Sequence, residues 1–246
     1  MPYRATDLTR SVRQRRSAKL LVEARSIVAL DGFGAASIKA VAAAAGVSVG
    51  TVYTYFSNRE ELLAAVFRKA ADGELAAVRS AVDAVEAVEA VETVDGARPG
   101  GHNDGLAAAQ LSALVEAFAR RAIRGRRLAW ALLVEPVDLL VEAERLSYRR
   151  AYSDLVADII ARGVTSGELP LQEARIVSAG IVGAIGEALA GPLSPLNLLT
   201  VSSTEPATIA DQLVDTIRTF CLRAVGATEV QTIGFRNSQF ETGDAP

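Results

Sequence analysis

The chain has 246 residues, enough for one large or two modest domains. Half of the residues are hydrophobic but only 5% are aromatic, a composition that favours closely packed helices over β-sandwiches or barrels. The single cysteine, Cys221, and the single histidine, His102, exclude an internal disulfide and a zinc site of three or four Cys/His ligands. We therefore expect no metal and no cofactor, and core packing for Cys221.

Charge is divided unevenly along the chain. Residues 1–70 hold 11 Lys and Arg against 5 Asp and Glu, a net charge of +6, which leaves 15 against 24, or −9, for residues 71–246. A basic head on an acidic body indicates a polyanionic partner for the head, with a solvated face without a partner as the alternative. Neither of the charge-free stretches 176–186 and 188–204 approaches the ~18–20 clean apolar residues of a membrane span. No secretion signal follows the basic start, so we expect a cytoplasmic protein with no membrane contact.

The first predicted helix covers residues 11–31, and Gly32 ends it. Its apolar residues recur on one face, which is the pattern of an amphipathic helix. They are Leu20, Ala24, Ile27 and Val28.

The next twenty residues, 37–56, read SIKAVAAAAGVSVGTVYTYF. Ser37 is placed to cap a second helix that Gly46 stops, and Ser48 is placed to cap a short third helix that ends near Phe56. A short helix, a glycine turn, a buried valine and a second capped helix together indicate a helix-turn-helix. Its outward residues are hydroxyls, phenols and bare backbone: Ser48, Val49, Gly50, Thr51, Tyr53, Thr54 and Tyr55.

Such an outward surface suits DNA better than catalysis. Hydroxyls and helix N-terminal N–H groups bind phosphate oxygens, and Val49 or Gly50 can lie against thymine methyls in the major groove. The set contains neither a carboxylate pair nor a nucleophile with a base, so we predict no catalytic residues. The alternative for Tyr53 and Tyr55 is packing against the neighbouring helices.

The rest of the chain is also predicted to be helical. Ser57, with Glu60 three residues on, has the spacing of a capping box and begins a fourth helix that continues to about Val85. Residues 93–105, rich in glycine, are predicted to form a flexible loop, and we assign His102 within it no role. Later helices are predicted over 106–124, 128–135, 137–162 (closed by Gly163), 172–190 and 209–225. The predicted fold is all-α with about nine helices and a loosely ordered tail over 227–246.

Residues Ala42–Leu63 resemble the signature of the TetR (tetracycline-repressor-like) family, AxxAGVSxGTVYxYFxNRExLL. The resemblance covers roughly residues 11–65. It implies a three-helix DNA-binding head, a variable ligand domain and a homodimer. Val52 stands where the family often has Leu, and Arg59 where it often has Lys, and both changes keep the chemistry.

By that resemblance, phosphate contacts fall to Ser37, Thr51, Tyr53, Tyr55 and Arg59, and base contacts to Val49, Gly50 and Tyr53. Three N-terminal arginines would form an arm along the adjacent backbone or minor groove, the alternative being a disordered basic tail. The predicted DNA-binding residues are Arg13, Arg15, Arg16, Ser37, Ser48, Val49, Gly50, Thr51, Tyr53, Thr54, Tyr55 and Arg59.

Residues 127–154 resemble, more weakly, a pattern of some actinobacterial-type TetR regulators. Large apolar groups with a few polar tips suit a drug-sized pocket between helices, although any single one is more often core. The predicted ligand-binding residues are Phe118, Trp130, Leu133, Leu140, Tyr148, Tyr152 and Ile185.

Small residues recur along the predicted helix 172–190. Each interior glycine costs about 0.5–1 kcal/mol relative to alanine, so a compensating close helix–helix approach is expected. In the resembling family the last two long helices form the dimer interface, which we therefore predict at Gly180, Gly183, Gly186 and Ala190. The alternative is that these glycines open a ligand channel beside Ile185.

Two other function classes compete with a regulator. An enzyme could use the acids Glu135, Asp138, Glu142 and Glu144, but these alternate with arginines at helical spacing, as in a solvated ion-pair face. A DNA-binding activator or architectural protein without an effector differs from a repressor only in lacking ligand-dependent release.

The sequence thus predicts a dimeric repressor, not an enzyme, released from operator DNA by a small hydrophobic effector. Its predicted parts are a DNA-binding domain with a basic arm (1–60), an effector-binding and dimerisation domain (61–226) and a tail (227–246).

Overall fold

The structure is a computed structural model that describes residues 7–94, 105–195 and 206–227. Within those ranges every regular element is a helix, which confirms the predicted all-α fold. Residues 95–104, with His102, and residues 228–246, most of the predicted loop and tail, lie outside the described residues. The helices are α1 Asp7–Ala35, α2 Ile38–Ala45, α3 Val49–Tyr53, α4 Arg59–Val94, α5 Leu106–Arg124, α6 Arg126–Leu133, α7 Leu139–Ser166, α8 Ala174–Leu193 and α9 Pro206–Ala224.

The predicted caps of the first three helices are confirmed. Gly32 breaks α1 with φ 81° and ψ 176°, and one further turn reaches Ala35. The Ser37 hydroxyl accepts the N–H of Ala40 at 3.1 Å, and Gly46 ends α2 in the left-handed region with φ 67°. The Ser48 hydroxyl accepts the N–H of Thr51 at 3.1 Å and so caps α3.

The cap of α4 lies one residue later than predicted. The Asn58 side-chain oxygen accepts the N–H of Glu61 at 2.7 Å, and the Glu61 carboxylate accepts the N–H of Ser57 at 2.6 Å. The cap is therefore Asn58, with Glu61 as the acid that returns to the N–H of Ser57, rather than Ser57 with Glu60, because α4 begins at Arg59. The hydrogen bonds from Ser57 lower the pKa of Glu61.

The end of α7 differs from the prediction for a packing reason. Gly163 does not close the helix, which continues to Ser166 and ends at Gly167 with φ 80°. Gly163 is buried instead, and a Cβ there would lie 2.8 Å from atoms of Ala107 and Leu169. The glycine therefore allows α7 to approach α5 closely.

Two hydrophobic cores divide the molecule, and α4 contributes to both. Its first half, through Ala70 and Ala71, packs in a head core with α1, α2 and α3. Its later residues Val78 and Val82 pack in a body core with α5, α7, α8 and α9. The head core also includes Ala131 and Leu132 of α6 and Val141 of α7, so the packing does not divide the chain at a single point, and the boundary at 60/61 stays a prediction.

Cys221 is fully buried in the body core, in agreement with its predicted packing role. Burial raises the pKa of its thiol to about 12, so the group stays a protonated, apolar core residue.

Candidate nucleic-acid interface and cavity

The helix α3 buries one side in the head and presents the other to solvent. Val52 is fully buried, whereas Val49 is 40% exposed and Tyr53 is 53% exposed. Gly50 is exposed, and a Cβ placed there would meet only the Ser48 hydroxyl at 3.8 Å. The outward face therefore has room for a close approach by a second molecule.

The hydroxyls on this face are held in place by short-range bonds. The Thr51 and Ser48 hydroxyls lie 2.9 Å apart, and the Thr54 hydroxyl donates to the Thr51 carbonyl at 2.7 Å. Ser37, Ser48 and Thr54 are exposed, and Thr51 is half-buried. Because these side chains are fixed by their own helices, little ordering is needed when a phosphate binds.

The two tyrosines that follow Val52 have different surroundings. Tyr53 projects into solvent, whereas Tyr55 is half-buried and packs against the head core, the alternative considered for it. The guanidinium of Arg13 lies over the Tyr55 ring, 5.9 Å from its centroid. This contact holds the basic start of α1 beside the recognition helix, where Arg15 and Arg16 are also exposed.

Arg59 has partners that the sequence did not indicate. Its Nε donates to the Ala36 carbonyl at 3.1 Å, and its Nη2 donates to the carbonyls of Phe33 (2.5 Å) and Gly34 (3.4 Å). These carbonyls lie at the α1–α2 connection, so Arg59 ties that connection to the start of α4. A phosphate contact by Arg59 stays a prediction, and the observed contacts are structural.

A cavity of about 850 Å³ lies between α4, α5, α6, α7 and α8. Five of the seven residues predicted to bind ligand line it: Phe118, Leu133, Tyr148, Tyr152 and Ile185. Trp130 packs against the body core and Leu140 is 49% exposed, so the structure places these two outside the lining. In a helix of eight residues only one side can face a cavity, and in α6 that side holds Leu128, Leu132 and Leu133.

Charged residues that the sequence did not indicate also line the cavity. Arg121 of α5 donates through Nε and Nη2 to the two carboxylate oxygens of Glu74 of α4, at 2.6 and 3.2 Å. The hydrogen bond to Glu74 raises the pKa of Arg121. Single charged residues on helices resemble surface residues in the sequence, and only the packing of α4 against α5 shows that these two face each other.

Tyr152 lies close to this ion pair. Its ring meets Phe118 edge-on with centroids 5.3 Å apart. Its hydroxyl is buried and has no hydrogen-bond partner among the described residues. Burial and the negative charge of Glu74 raise the pKa of Tyr152, so its hydroxyl stays protonated.

Tyr148, one turn earlier on α7, differs in that its hydroxyl is satisfied. It bonds to the Asp72 carboxylate and to the Arg68 carbonyl at 3.2 Å. Burial and the bond to Asp72 raise its pKa. Tyr148 therefore joins α7 to α4, whereas Tyr152 has a free hydrogen-bonding group at the cavity.

Some of the small residues of α8 line the cavity and others do not. Gly183, Gly186 and Ala190 line the cavity beside Ile185, which is the channel arrangement considered above. Gly180 is exposed and is not among the lining residues. A Cβ at Gly180, Gly183 or Gly186 would meet nothing within 4 Å in the single chain, so these positions have space on their open side.

Glu135 joins the head to the body. Its carboxylate accepts the N–H of Phe33 at 3.0 Å and the N–H of Gly34 at 3.2 Å, and we call this contact the Glu135 bridge. The backbone carbonyl of Glu135 accepts Nη2 of Arg145 at 2.8 Å, and Arg145 lines the cavity. A short chain of contacts thus connects the cavity wall to the end of α1.

The other acids considered for an enzyme also have structural partners. Asp138 caps α7 by accepting the N–H groups of Leu140 and Val141. Glu142 pairs with Arg145 at 2.7 Å, and Glu144 pairs with Arg68 at 2.6 Å. With Glu135 in its bridge, each of the four carboxylates stabilises the fold.

The exposed recognition helix and the helical body define a helix-turn-helix DNA-binding protein, and sequence comparison supplies its family. Residues 20–66 match the family described as bacterial regulatory proteins, tetR family. This match confirms the predicted resemblance to the tetR family over those residues. No curated protein matches the chain in sequence.

Solved structures of similar fold include three regulators. The fatty acid degradation regulator FadR from Bacillus halodurans has a TM-score of 0.62 and 17% identity over 87% of this chain and 97% of its own. FadR from Bacillus subtilis, in complex with stearoyl-CoA, has a TM-score of 0.59 and 16% identity over 81% and 96%. RolR in complex with resorcinol has a TM-score of 0.61 and 18% identity over 92% and 96%. At these identities the likeness concerns the fold.

Proposed function

We propose that this chain is a ligand-responsive transcriptional repressor that binds operator DNA as a homodimer and is released by a small, largely hydrophobic effector. The observation that carries the proposal is the open outer face of α3, with Gly50 uncovered and Tyr53 exposed, on a head of net positive charge. Fold relatives crystallised with stearoyl-CoA and with resorcinol support an effector in the cavity. Such a protein works in the cytoplasm, with residues 1–60 acting as the DNA-binding unit and residues 61–226 as the effector-binding and dimerisation unit.

The proposed DNA contacts follow from the exposed groups. Val49, Gly50 and Tyr53 would meet base edges, while Ser37, Ser48, Thr51, Thr54, Tyr55 and Arg59 would bind phosphates. Arg13, Arg15 and Arg16 would extend the contact along the backbone or minor groove, since Arg13 already lies at Tyr55.

The experiment that tests operator binding is selection of bound fragments from random duplex DNA, followed by affinity measurement at several salt concentrations. We expect a pseudo-palindromic site and a fall in affinity of about a thousandfold between ~50 and ~200 mM salt, as several released counterions predict. Binding to no duplex, or binding that salt does not weaken, would reject the proposal. Release by an effector then separates a repressor of this kind from a DNA-binding protein without a ligand.

The proposed dimer uses the open sides of α8 and α9. The buried stripe of α8, which includes Ile181, Ile185 and Leu189, packs in the body core, but only 28% of this apolar helix is buried in the single chain. Ile176 is 72% exposed on α8, and Phe220 is 57% exposed on α9. A second copy placed on Ile176 and Gly180 would cover this apolar surface.

Among the helices of the described ranges, α8 alone is long and apolar enough to cross a bilayer, by length and composition only. A helix whose apolar side is shared between a core and a dimer interface passes the same test. Because α8 packs through Ile181, Ile185 and Leu189 in the core, we place its remaining apolar face against a second protein chain.

Replacing Ile176 by aspartate is expected to dissociate the dimer, because it buries a charge in an apolar interface. Sedimentation should show a monomer with unchanged helical content, since the Ile176 side chain is mostly exposed in the single chain. The control is Leu139→Asp, which also replaces an apolar side chain by a carboxylate, at a position that is 87% exposed at the start of α7. A variant I176D that remains dimeric would place the interface elsewhere.

The effect of effector binding would be transmitted to the DNA-binding head through α6. Leu128, Leu132 and Leu133 of this helix line the cavity, while Ala131 and Leu132 are buried in the head core. Arg145 holds the carbonyls of Ala131 and Leu132, and the Glu135 bridge follows directly. An effector that shifts α6 would thereby shift the end of α1, and about 1.4 kcal/mol of coupling is enough for a tenfold change in operator affinity.

A further inference from the structure

The cavity offers an effector one part-buried polar end. Most of its buried lining is aliphatic or aromatic, including Phe67, Leu114, Phe118 and Leu132. The exceptions on α4, α5 and the middle of α7 are Glu74, Arg121 and Tyr152. These three groups form one polar part of the lining, and the further polar groups are Arg145, Tyr148 and Ser153 of α7 and the exposed Arg149, Arg150 and Glu187.

The charges at that polar end already cancel. Arg121 is joined to Glu74 by two hydrogen bonds, and both side chains are part-buried. Arg145, the other buried cation of the lining, is paired with Glu142 and donates to three backbone carbonyls. The ionised groups here thus have partners, and an added carboxylate would lose its hydration beside the negative charge of Glu74.

The hydroxyl of Tyr152 is the group at this end that still needs a partner. It is buried and has no hydrogen bond among the described residues. A buried polar group left unsatisfied costs free energy, which a ligand oxygen would recover. The ring packs edge-on against Phe118 and lines the cavity, so a small displacement of the side chain would bring the hydroxyl to a ligand oxygen.

On the basis of the proposed function, we infer that the effector is a hydrophobic molecule with an uncharged oxygen group, an alcohol, phenol or carbonyl, which hydrogen-bonds to Tyr152. The remaining charged lining residues, Arg149, Arg150 and Glu187, are exposed at the solvent side, where water and salt screen them. They therefore add little selectivity. The volume of about 850 Å³ suits an apolar body of drug-like size.

The test is isothermal titration calorimetry of the full chain without DNA, with two matched pairs of probes. The pairs are decan-1-ol with decanoate, and 2-naphthol with 2-naphthoate, so that chain and ring shapes are both covered. For at least one pair the neutral member is expected to bind about tenfold or more tightly than the acid. Equal or tighter binding of the acids, or no binding of either neutral probe, overturns the inference.

Tyr152→Phe removes the hydroxyl and keeps the ring against Phe118. We expect it to weaken binding of the neutral probe about tenfold and to abolish the preference over the acid, while the unfolding temperature of the free protein stays the same or rises because an unsatisfied group is gone. The control is Thr165→Val, which removes a hydroxyl from α7 at a position outside the cavity lining; it should keep both the affinity and the preference. Unchanged binding in Tyr152→Phe overturns the inference.

Since DNA is absent from these measurements, their failure leaves operator binding untouched. Conversely, a chain that binds no operator can still show the Tyr152-dependent preference.

Discussion

Replacing Gly32 by alanine is expected to lower the free energy of unfolding by about 2–4 kcal/mol. Gly32 has φ 81° and ψ 176°, a backbone conformation that is essentially restricted to glycine. A Cβ there would also lie 2.7 Å from both carboxylate oxygens of Glu135. The substitution therefore strains the backbone and displaces the carboxylate from the N–H groups of Phe33 and Gly34. Urea unfolding followed by circular dichroism measures the loss.

The control for Gly32 lies two residues away. A Cβ placed at Gly34 would have no atom within 4 Å, and the residue has no positive φ, so Gly34→Ala should be neutral or stabilise by up to about 1 kcal/mol. Equal stability of the two variants would contradict the account of the Glu135 bridge. Under the proposed coupling, Gly32→Ala should also reduce the effect of an effector on operator affinity, because the Glu135 bridge between the end of α1 and the residue after α6 would be weakened.

Replacing Tyr53 by alanine is expected to weaken operator binding about tenfold to a hundredfold, the range for loss of a base or phosphate contact at the centre of an interface. Tyr53 is 53% exposed and does not pack in the head core, so the unfolding free energy should change by less than about 0.5 kcal/mol. Fluorescence anisotropy with the selected operator measures the affinity.

A comparable surface change elsewhere should leave DNA binding intact. Leu146→Ala alters a residue of α7 that is 56% exposed and serves as the matched control for Tyr53→Ala. Arg59→Ala is a poorer test of the same interface. It would leave three backbone carbonyls without the guanidinium that donates to them, and so would destabilise the α1–α2 connection at the same time. Wild-type affinity in Tyr53→Ala would place the DNA-reading surface away from α3.

The helix-turn-helix could be predicted residue by residue because its signals are local. Ser37, Gly46 and Ser48 act on backbone groups within three or four positions of themselves, and the structure has all three in those roles. The cap of α4 was misplaced by one residue because Ser57 and Asn58 are both good caps, as are Glu60 and Glu61 as their partners. The choice between them depends on how α4 meets the α1–α2 connection through Arg59.

The cavity was predicted in part, and the missing part has a physical reason. Apolar residues such as Phe118 and Ile185 recur on helix faces that must be buried, so periodicity identifies them. Periodicity does not show that Glu74 and Arg121, 47 positions apart, face each other, nor that Tyr152 is left without a partner while Tyr148 is satisfied. Those outcomes depend on the crossing of α4, α5 and α7.

The order of residues was enough to predict the all-helical class, the cap and turn residues of the head, its net positive charge and the family that it resembles. Each of these follows from neighbours along the chain or from a count of charges. The functions of Gly163, Arg59 and Glu135 became apparent only in the folded chain. Gly163 permits close packing of α7 on α5, Arg59 holds the carbonyls at the end of α1, and Glu135 bonds to backbone more than 100 positions away. Such contacts join residues that are distant in sequence, so no local pattern of residue types encodes them.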